Sequence, residues 1–226
     1  MMPVALAICA VAVLASSALA VDGNFLETFA TGAGGWAGGS SPTLIPTGGP
    51  SGVGDQYLQI SSSSSVGNGN LATLNTTPSW TGDYAGDWMA PGEFLILGVG
   101  ASMANFGSTP LSMRVIFFNT TIYRYSTTMA AEVPPDGVWR DYLWLFDPTD
   151  GSGLSSVFGD VPITTGMRDV TQVMFRHNLM PAAGGDAVTG TLGLDNIRPL
   201  PFIPAPSTAA LLAVGGFAVA LRRRRR

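Results

Sequence analysis

In Leu111-Ser112-Met113-Arg114-Val115-Ile116-Phe117 every odd position is apolar, the period-two alternation of a strand with one face in a core. Arg140-Asp141-Tyr142-Leu143-Trp144-Leu145-Phe146 is apolar at most positions, which predicts a strand covered on both faces. Gly and Pro cut the rest of the middle into segments of strand length. The candidates are 24–29, 56–61, 71–74, 94–99, 111–119, 121–125, 139–146, 170–176 and 191–198. No sustained helical stripe occurs between the two ends. Short strands with turns between them predict an all-β fold, an antiparallel two-sheet β-sandwich of jelly-roll type. The absence of a repeat of fixed period argues against a propeller or solenoid.

The ends are patterned differently and divide the chain into residues 1–20, 21–198 and 199–226. Val4 to Leu14 is an apolar run of the length found in a secretory leader, and Ala18 and Ala20 place small residues at the −3 and −1 positions of a cut after Ala20. This segment is expected to be a signal helix removed by signal peptidase. No Lys or Arg precedes it. At the other end, residues 199–221 carry no charge, prolines stand at 199, 201, 204 and 206, and Arg222, Arg223, Arg224, Arg225 and Arg226 close the chain. The prolines favour an extended entrance. The Ala/Leu/Val-rich stretch 208–221 is helix-compatible, but at ~1.5 Å per residue it spans about 21 Å against a ~30 Å bilayer core. Such a helix suits transient membrane insertion, with the arginines on the cytoplasmic side.

The order Pro204-Ala205-Pro206-Ser207, apolar helix, Arg222 to Arg226 resembles the PEP-CTERM sorting tail of Gram-negative and related bacteria. The family has Glu between the two prolines, where this chain has Ala205. The resemblance implies cleavage near the motif by an exosortase-type membrane transpeptidase. It also implies release or transfer to the cell envelope surface or extracellular matrix, in a bacterium that makes exopolysaccharide.

Charge narrows the partners of the middle. Its six Arg face fifteen Asp and Glu, a net of −9, and the chain has no Lys. Phosphate binding needs a positive surface, so nucleic acid is not an expected partner. The only cysteine, Cys9, lies in the leader, so the mature domain must rely on its core rather than on disulfides.

Phe25, Phe29, Gly34-Gly35-Trp36, the Gly48 to Gln59 stretch and Leu194-Asp195-Asn196-Ile197 together resemble laminin-B-like and galactose-binding-like jelly rolls. That likeness implies two sheets with the first and last strands close together, and it carries no activity. Within the middle, Trp80, Asp83, Tyr84, Asp87 and Trp88 interleave three aromatics with two carboxylates, the composition of a sugar-binding platform. The alternative is that the aromatics pack into the sandwich and the carboxylates make turns. Trp139, Tyr142 and Trp144 are expected in the core. His177, the lone histidine, has no Gly-x-Ser-x-Gly elbow to partner it and no second His or Cys for zinc. A glycosidase pair such as Glu93 with Glu132 or Asp141 depends on spatial convergence, and no catalytic residue is assigned. Asp147 and Asp150 flank a loop that can hold a structural Ca²⁺, as can Asp195 elsewhere, although Asp-Gly is also ordinary turn chemistry. The function expected is an exported, non-enzymatic surface or matrix protein whose jelly roll contacts polysaccharide or neighbouring proteins. Its rivals are a secreted glycan-active enzyme and a purely structural envelope component.

Overall fold

The computed structural model describes residues 20–37, 39–40, 42–63, 71–75, 84–89, 95–119 and 122–201. The signal segment up to residue 19 and the tail from 202 lie outside the described residues, including Ala18, Pro204, Ala205, Pro206, Ser207 and Arg222 to Arg226. Among the described residues no helix is long and apolar enough to cross a membrane.

Twelve strands and one short helix are described. One sheet has the order β1 (Trp36–Ala37), β4 (Ala72–Asn75), β11 (Gln172–His177), β6 (Leu111–Asn119), β7 (Tyr123–Thr127), β10 (Leu154–Phe158), with β8 (Ala131–Val133) also paired to β6. The other has the order β2 (Thr43–Ile45), β3 (Tyr57–Ser63), β12 (Thr189–Pro201), β5 (Ile96–Asn105), β9 (Arg140–Leu145). The helix α1 is Ile163–Gly166. Every strand pair is antiparallel, and the two sheets enclose one apolar core. The all-β, two-sheet expectation is met. Residues 24–29 form no strand, but Glu27 and Ile197 exchange backbone hydrogen bonds of 2.8 and 3.0 Å. The N-terminal segment is thereby held against β12.

The core is aromatic where the sheets meet. The Trp144 indole N–H donates to the Met113 carbonyl of the opposite sheet at 2.9 Å, and its ring packs on Phe175 at 5.4 Å. Trp88 packs edge-on against Phe117 at 4.9 Å and donates through Nε1 to Tyr84 O. The Tyr84 hydroxyl donates to Ile197 O at 2.8 Å. Trp144, Trp88 and Tyr84 thus keep their polar handles satisfied while their surfaces leave water. This overturns the platform expectation for Tyr84 and Trp88, whose relative exposures are 0% and 1%: buried rings offer no face to a ligand. Asp87 accepts from Met89 N and lies 3.6 Å from Arg168. Trp80 and Asp83 lie outside the described residues.

The outer face of the seven-stranded sheet carries buried cations. Arg114 donates to the carbonyls of Thr127, Thr128, Asn178 and Leu179. Arg176 donates to Asn178 Oδ1 and to the carbonyls of Ala182 and Ala183. These guanidiniums, each 4% exposed, stitch the β11–β12 connection to the sheet through charge-assisted hydrogen bonds. Burial lowers the Arg176 pKa to about 10, with Arg124 adding repulsion, so it stays charged at neutral pH. His177 belongs to this scaffold: its Nδ1 accepts from Ser112 N at 3.0 Å, and burial lowers its pKa.

β12 is bulged between Asp195 and Arg198. Asp195 pairs with Ser102 and Arg198 with Gly100, so three steps on β12 match two on β5, which is one extra residue. Asn196 takes up the bend at φ 50°, a left-handed conformation that Asn tolerates better than most residues. Asp195, beside it, is 1% exposed. Its Oδ1 accepts from Asn196 N at 2.7 Å, and no hydrogen bond reaches its buried Oδ2. Loss of hydration, reinforced by Asp55 and Glu27, raises its pKa to about 7.

The core and the buried carboxyl each have a measurable consequence. Trp88→Ala opens a cavity between the sheets and lowers stability by about 3–5 kcal/mol, measurable as a fall in the urea midpoint of the full chain. Asp195 gives a pH dependence. The unfolded carboxyl ionises near about pH 4, whereas the folded one keeps its proton up to about pH 7. Over that interval the unfolded state binds fewer protons, so stability falls as pH rises and levels off above 7. Thermal melts of Asp195→Asn will lack this decline.

Candidate functional site in a groove over the five-stranded sheet

The outward face of this sheet has a low floor. In a strand the side chains alternate faces, and inward Val99, Ala101, Met103, Leu192 and Leu194 are fully buried. The outward partners include Gly100 on β5 and Gly193 on β12. A Cβ at Gly193 would stand 2.7 Å from Trp139 Cη2 and 2.8 Å from Phe106 Cε2. One at Gly100 would stand 3.3 Å from both the Arg198 guanidinium and Leu143 Cδ2. The missing side chains let these groups lie on the backbone itself.

A groove of about 420 Å³ results, lined by Leu26, Pro50, Ser102, Trp139, Arg140, Asp141, Asn196 and Arg198. Trp139 is held by its neighbours. Its indole N–H donates to Gly48 O at 2.9 Å, and Tyr57 and Phe106 contact it edge-on at 5.1 and 6.0 Å. The ring is half-buried. The polar groups are also positioned in advance. Asn196 Nδ2 donates to Ser102 Oγ, which donates to Asp141 Oδ1 at 2.6 Å. Arg198 donates to Asn196 O and stands 3.9 Å from Asp141 Oδ2. Arg140 makes a two-point contact with Asp136 at 2.9 and 2.7 Å, which draws the Asp136 pKa down to about 2. Each cation of the groove therefore has a counter-charge. What remains is one aromatic wall and a set of pre-oriented donors and acceptors. That combination suits a polyhydroxylated ligand, because little side-chain freedom is lost on binding.

The structure redistributes the residues expected at a site. Trp144 is core and Tyr142 packs partly against it, but Trp139 lies on the outer face. β9 is an edge strand covered on one face only: Leu143 and Leu145 are 56% and 66% exposed. Glu132 sits on the other sheet, where its Oε2 accepts from Ser112 Oγ, whereas Asp141 faces the groove. The two carboxylates therefore do not meet, and Glu93 lies outside the described residues. Among the described residues lining the groove, Asp141 is the only carboxylate, so the two acids of glycoside hydrolysis are not brought together there.

The candidate Ca²⁺ ligands are likewise not assembled. Asp147 Oδ1 accepts from Thr149 N and Oγ1, and Asp150 Oδ1 accepts from Ser152 N; both carboxylates close their own turn. Asp147 follows the end of β9, where Leu145 pairs with Gly98. Asp195 pairs with Ser102, four residues further along β5, which is about 13 Å away at ~3.3 Å per residue. Among the described residues no three His, Cys, Asp or Glu side chains gather as a metal site. Asp195 alone keeps a feature a cation would use, its buried unpaired oxygen.

No family model matches the chain, and no curated protein matches it in sequence. Solved structures do resemble it. A family 11 carbohydrate-binding module from Clostridium thermocellum, in complex with a β-1,3-1,4-mixed-linked tetrasaccharide, aligns over 77% of this chain and 94% of its own, with 12% identity and a TM-score of 0.52. The family 11 module of a cellulosomal cellulase from the same organism aligns over 82% and 98%, with 12% identity and a TM-score of 0.53. An exo-β-agarase aligns over 81% of this chain but 25% of its own, with 10% identity and a TM-score of 0.52. At such low identity the likeness is one of fold: the described body shares the two-sheet jelly roll of these carbohydrate-binding modules.

Proposed function

We propose that this chain is an exported, non-catalytic bacterial surface or matrix protein whose jelly roll binds polysaccharide in the Trp139 groove. The observation that carries this reading is the Trp139 ring, fixed over Gly193 by Tyr57, Phe106 and Gly48 beside the Ser102–Asp141–Arg198 network. An indole face stacks on sugar C–H groups while the network orients hydroxyls. The fold is shared with modules that bind carbohydrate, one of them holding a mixed-linked tetrasaccharide. A single carboxylate in the groove favours binding over hydrolysis. Export is read from the ends of the chain. Signal peptidase would cut after Ala20, and an exosortase-type transpeptidase would act near Pro204-Ala205-Pro206-Ser207 after transient membrane insertion.

Two measurements test this. Mixed-linkage β-1,3-1,4-glucan is the first probe, followed by the exopolysaccharide of the producing cell. Affinity electrophoresis should show retardation of the exported protein, and Trp139→Ala should weaken binding at least about tenfold, equivalent to about 1.4 kcal/mol. An unaltered affinity in that variant would remove the groove from consideration. The mass of the natively exported protein should lack both the first twenty residues and the segment containing Arg222 to Arg226; an intact C-terminus at the cell surface would contradict sorting.

A further inference from the structure

β12 and β9 both run antiparallel to β5, so they point the same way and finish at the same end of the sheet. Leu145 closes β9 opposite Gly98, and Pro201 closes β12 opposite Ile96. A Cβ at Gly98 would stand 3.1 Å from Leu200 Cδ1 and 3.3 Å from Leu145 Cδ2, so the two leucines meet over bare backbone. Beside Leu145 the surface dips into a concavity of about 300 Å³, lined by Leu97, Leu145, Phe146, Asp147, Ser152 and Gly153. Leu143 and Leu145 are more than half exposed on this edge strand, where charged side chains usually guard against association. The chain continues past Pro201 as Phe202-Ile203-Pro204-Ala205-Pro206, so two bulky apolar residues are delivered at the strand end next to an apolar hollow. β12 and β9 are two strand spacings apart, about 10 Å. Two extended residues advance about 7 Å, and a side chain covers the rest. Pro204 restricts Ile203 to extended backbone. Phe202 is then the one residue between Pro201 and Pro204 that sets the direction, and seating the pair costs little chain entropy.

We propose that this concavity is the seat of the chain's own Phe202 and Ile203, which cover the exposed end of β9 and fix the root of the C-terminal tail on the body. The occupant is an uncharged apolar dipeptide. It suits a lining whose one charged group, Asp147, already accepts from Thr149. The seat is independent of sugar binding at Trp139. Its consequence for export rests on the sorting reading: Pro204-Ala205-Pro206-Ser207 then starts where the body ends, with no free spacer, and a transpeptidase meets the folded body together with the motif.

The test is limited chymotrypsin digestion of the full chain in detergent micelles, with the rate of the cut between Phe202 and Ile203 followed by mass. A seated Phe202 is cleaved only from its open form, so the rate reports how often the seat is empty. Leu145→Ser, which removes an exposed wall of the seat, should speed the cut at least about tenfold. Ser152→Trp, which fills the hollow and removes no apolar group, should speed it likewise. Cuts within residues 21–198 should keep their parent rates in both variants, which separates unseating from unfolding. A rate at Phe202 that either variant leaves unchanged would overturn the seat. Protection that grows with protein concentration would also overturn it, because the occupant would then be a second copy. Trp139→Ala should leave the rate as it is, so failure of the seat and failure of the sugar groove are read separately.

Discussion

The groove exists because the two central strands of one sheet carry no side chain at selected outward positions. In a two-layer sandwich every strand commits one face to the core, and period two then dictates what the other face shows. On β5 and β12 the inward set is Val99, Ala101, Met103, Leu192 and Leu194. The outward set includes Gly98, Gly100 and Gly193, where contacts from Leu145, Leu143, Arg198 and Trp139 replace the absent Cβ atoms. Glycine ordinarily weakens a strand interior. Here β5 and β12 are central, paired on both sides, and the rings and guanidinium laid over the glycines supply packing that a side chain would have given. Any larger residue at 193 would lift Trp139 and with it the wall of the groove.

The bulge at Asn196 performs the complementary task. It turns the last strand so that Asn196 donates to Ser102 and its carbonyl receives Arg198. The network is anchored from below by Asp195, whose Oδ1 receives the Asn196 N–H. Keeping a carboxyl there without a partner for its second oxygen is costly, and the raised pKa is the visible result. The opposite sheet solves its own electrostatic problem differently. Arg114 and Arg176 are buried, yet their donors are met by backbone carbonyls of the loop they fasten. One face of the molecule is thus rigidly closed, while the other keeps its polar groups oriented towards a groove.

Much of the sandwich is legible in the sequence because alternation reports the core. The strand expected over 111–119 coincides with β6, and 191–198 falls within β12. Four short strands, β1, β2, β8 and β10, are not among the candidates: β1, β2 and β8 have only two or three residues, too few to show a period, and Leu154-Ser155-Ser156-Val157-Phe158 of β10 does not alternate. The strand expected at 94–99 continues as β5 to Asn105, since Gly98 and Gly100 resemble turn punctuation when their packing is unknown. The site is less legible. The stretch Tyr84–Trp88 has a sugar platform's composition, but composition is silent on burial, and both rings belong to the core. Trp139 is expected in the core with Tyr142 and Trp144, although parity separates them: if Trp144 points inward, Trp139 points outward. That signal is present in the numbering. The contributions of Ser102, Asn196 and Arg198 are not, because they depend on register between β5 and β12 and on a bulge of one residue.

The likeness to carbohydrate-binding modules and the groove chemistry bear on function with different weight. Shared architecture at 10–12% identity locates a fold that hosts many tasks, so it cannot choose between a binder and an inert envelope component. The groove discriminates better. Its indole is held partly exposed over a glycine, bracketed by two other rings and tied to Gly48, whereas Trp144 and Trp88 are buried in the core. Charge adds to this. The body is net acidic, but the groove pairs Arg140 with Asp136 and Arg198 with Asp141, so its field is locally balanced. A ligand rich in hydroxyls gains hydrogen bonds from such paired groups without needing to match a charge, and that is the property that favours polysaccharide over nucleic acid or a charged small molecule.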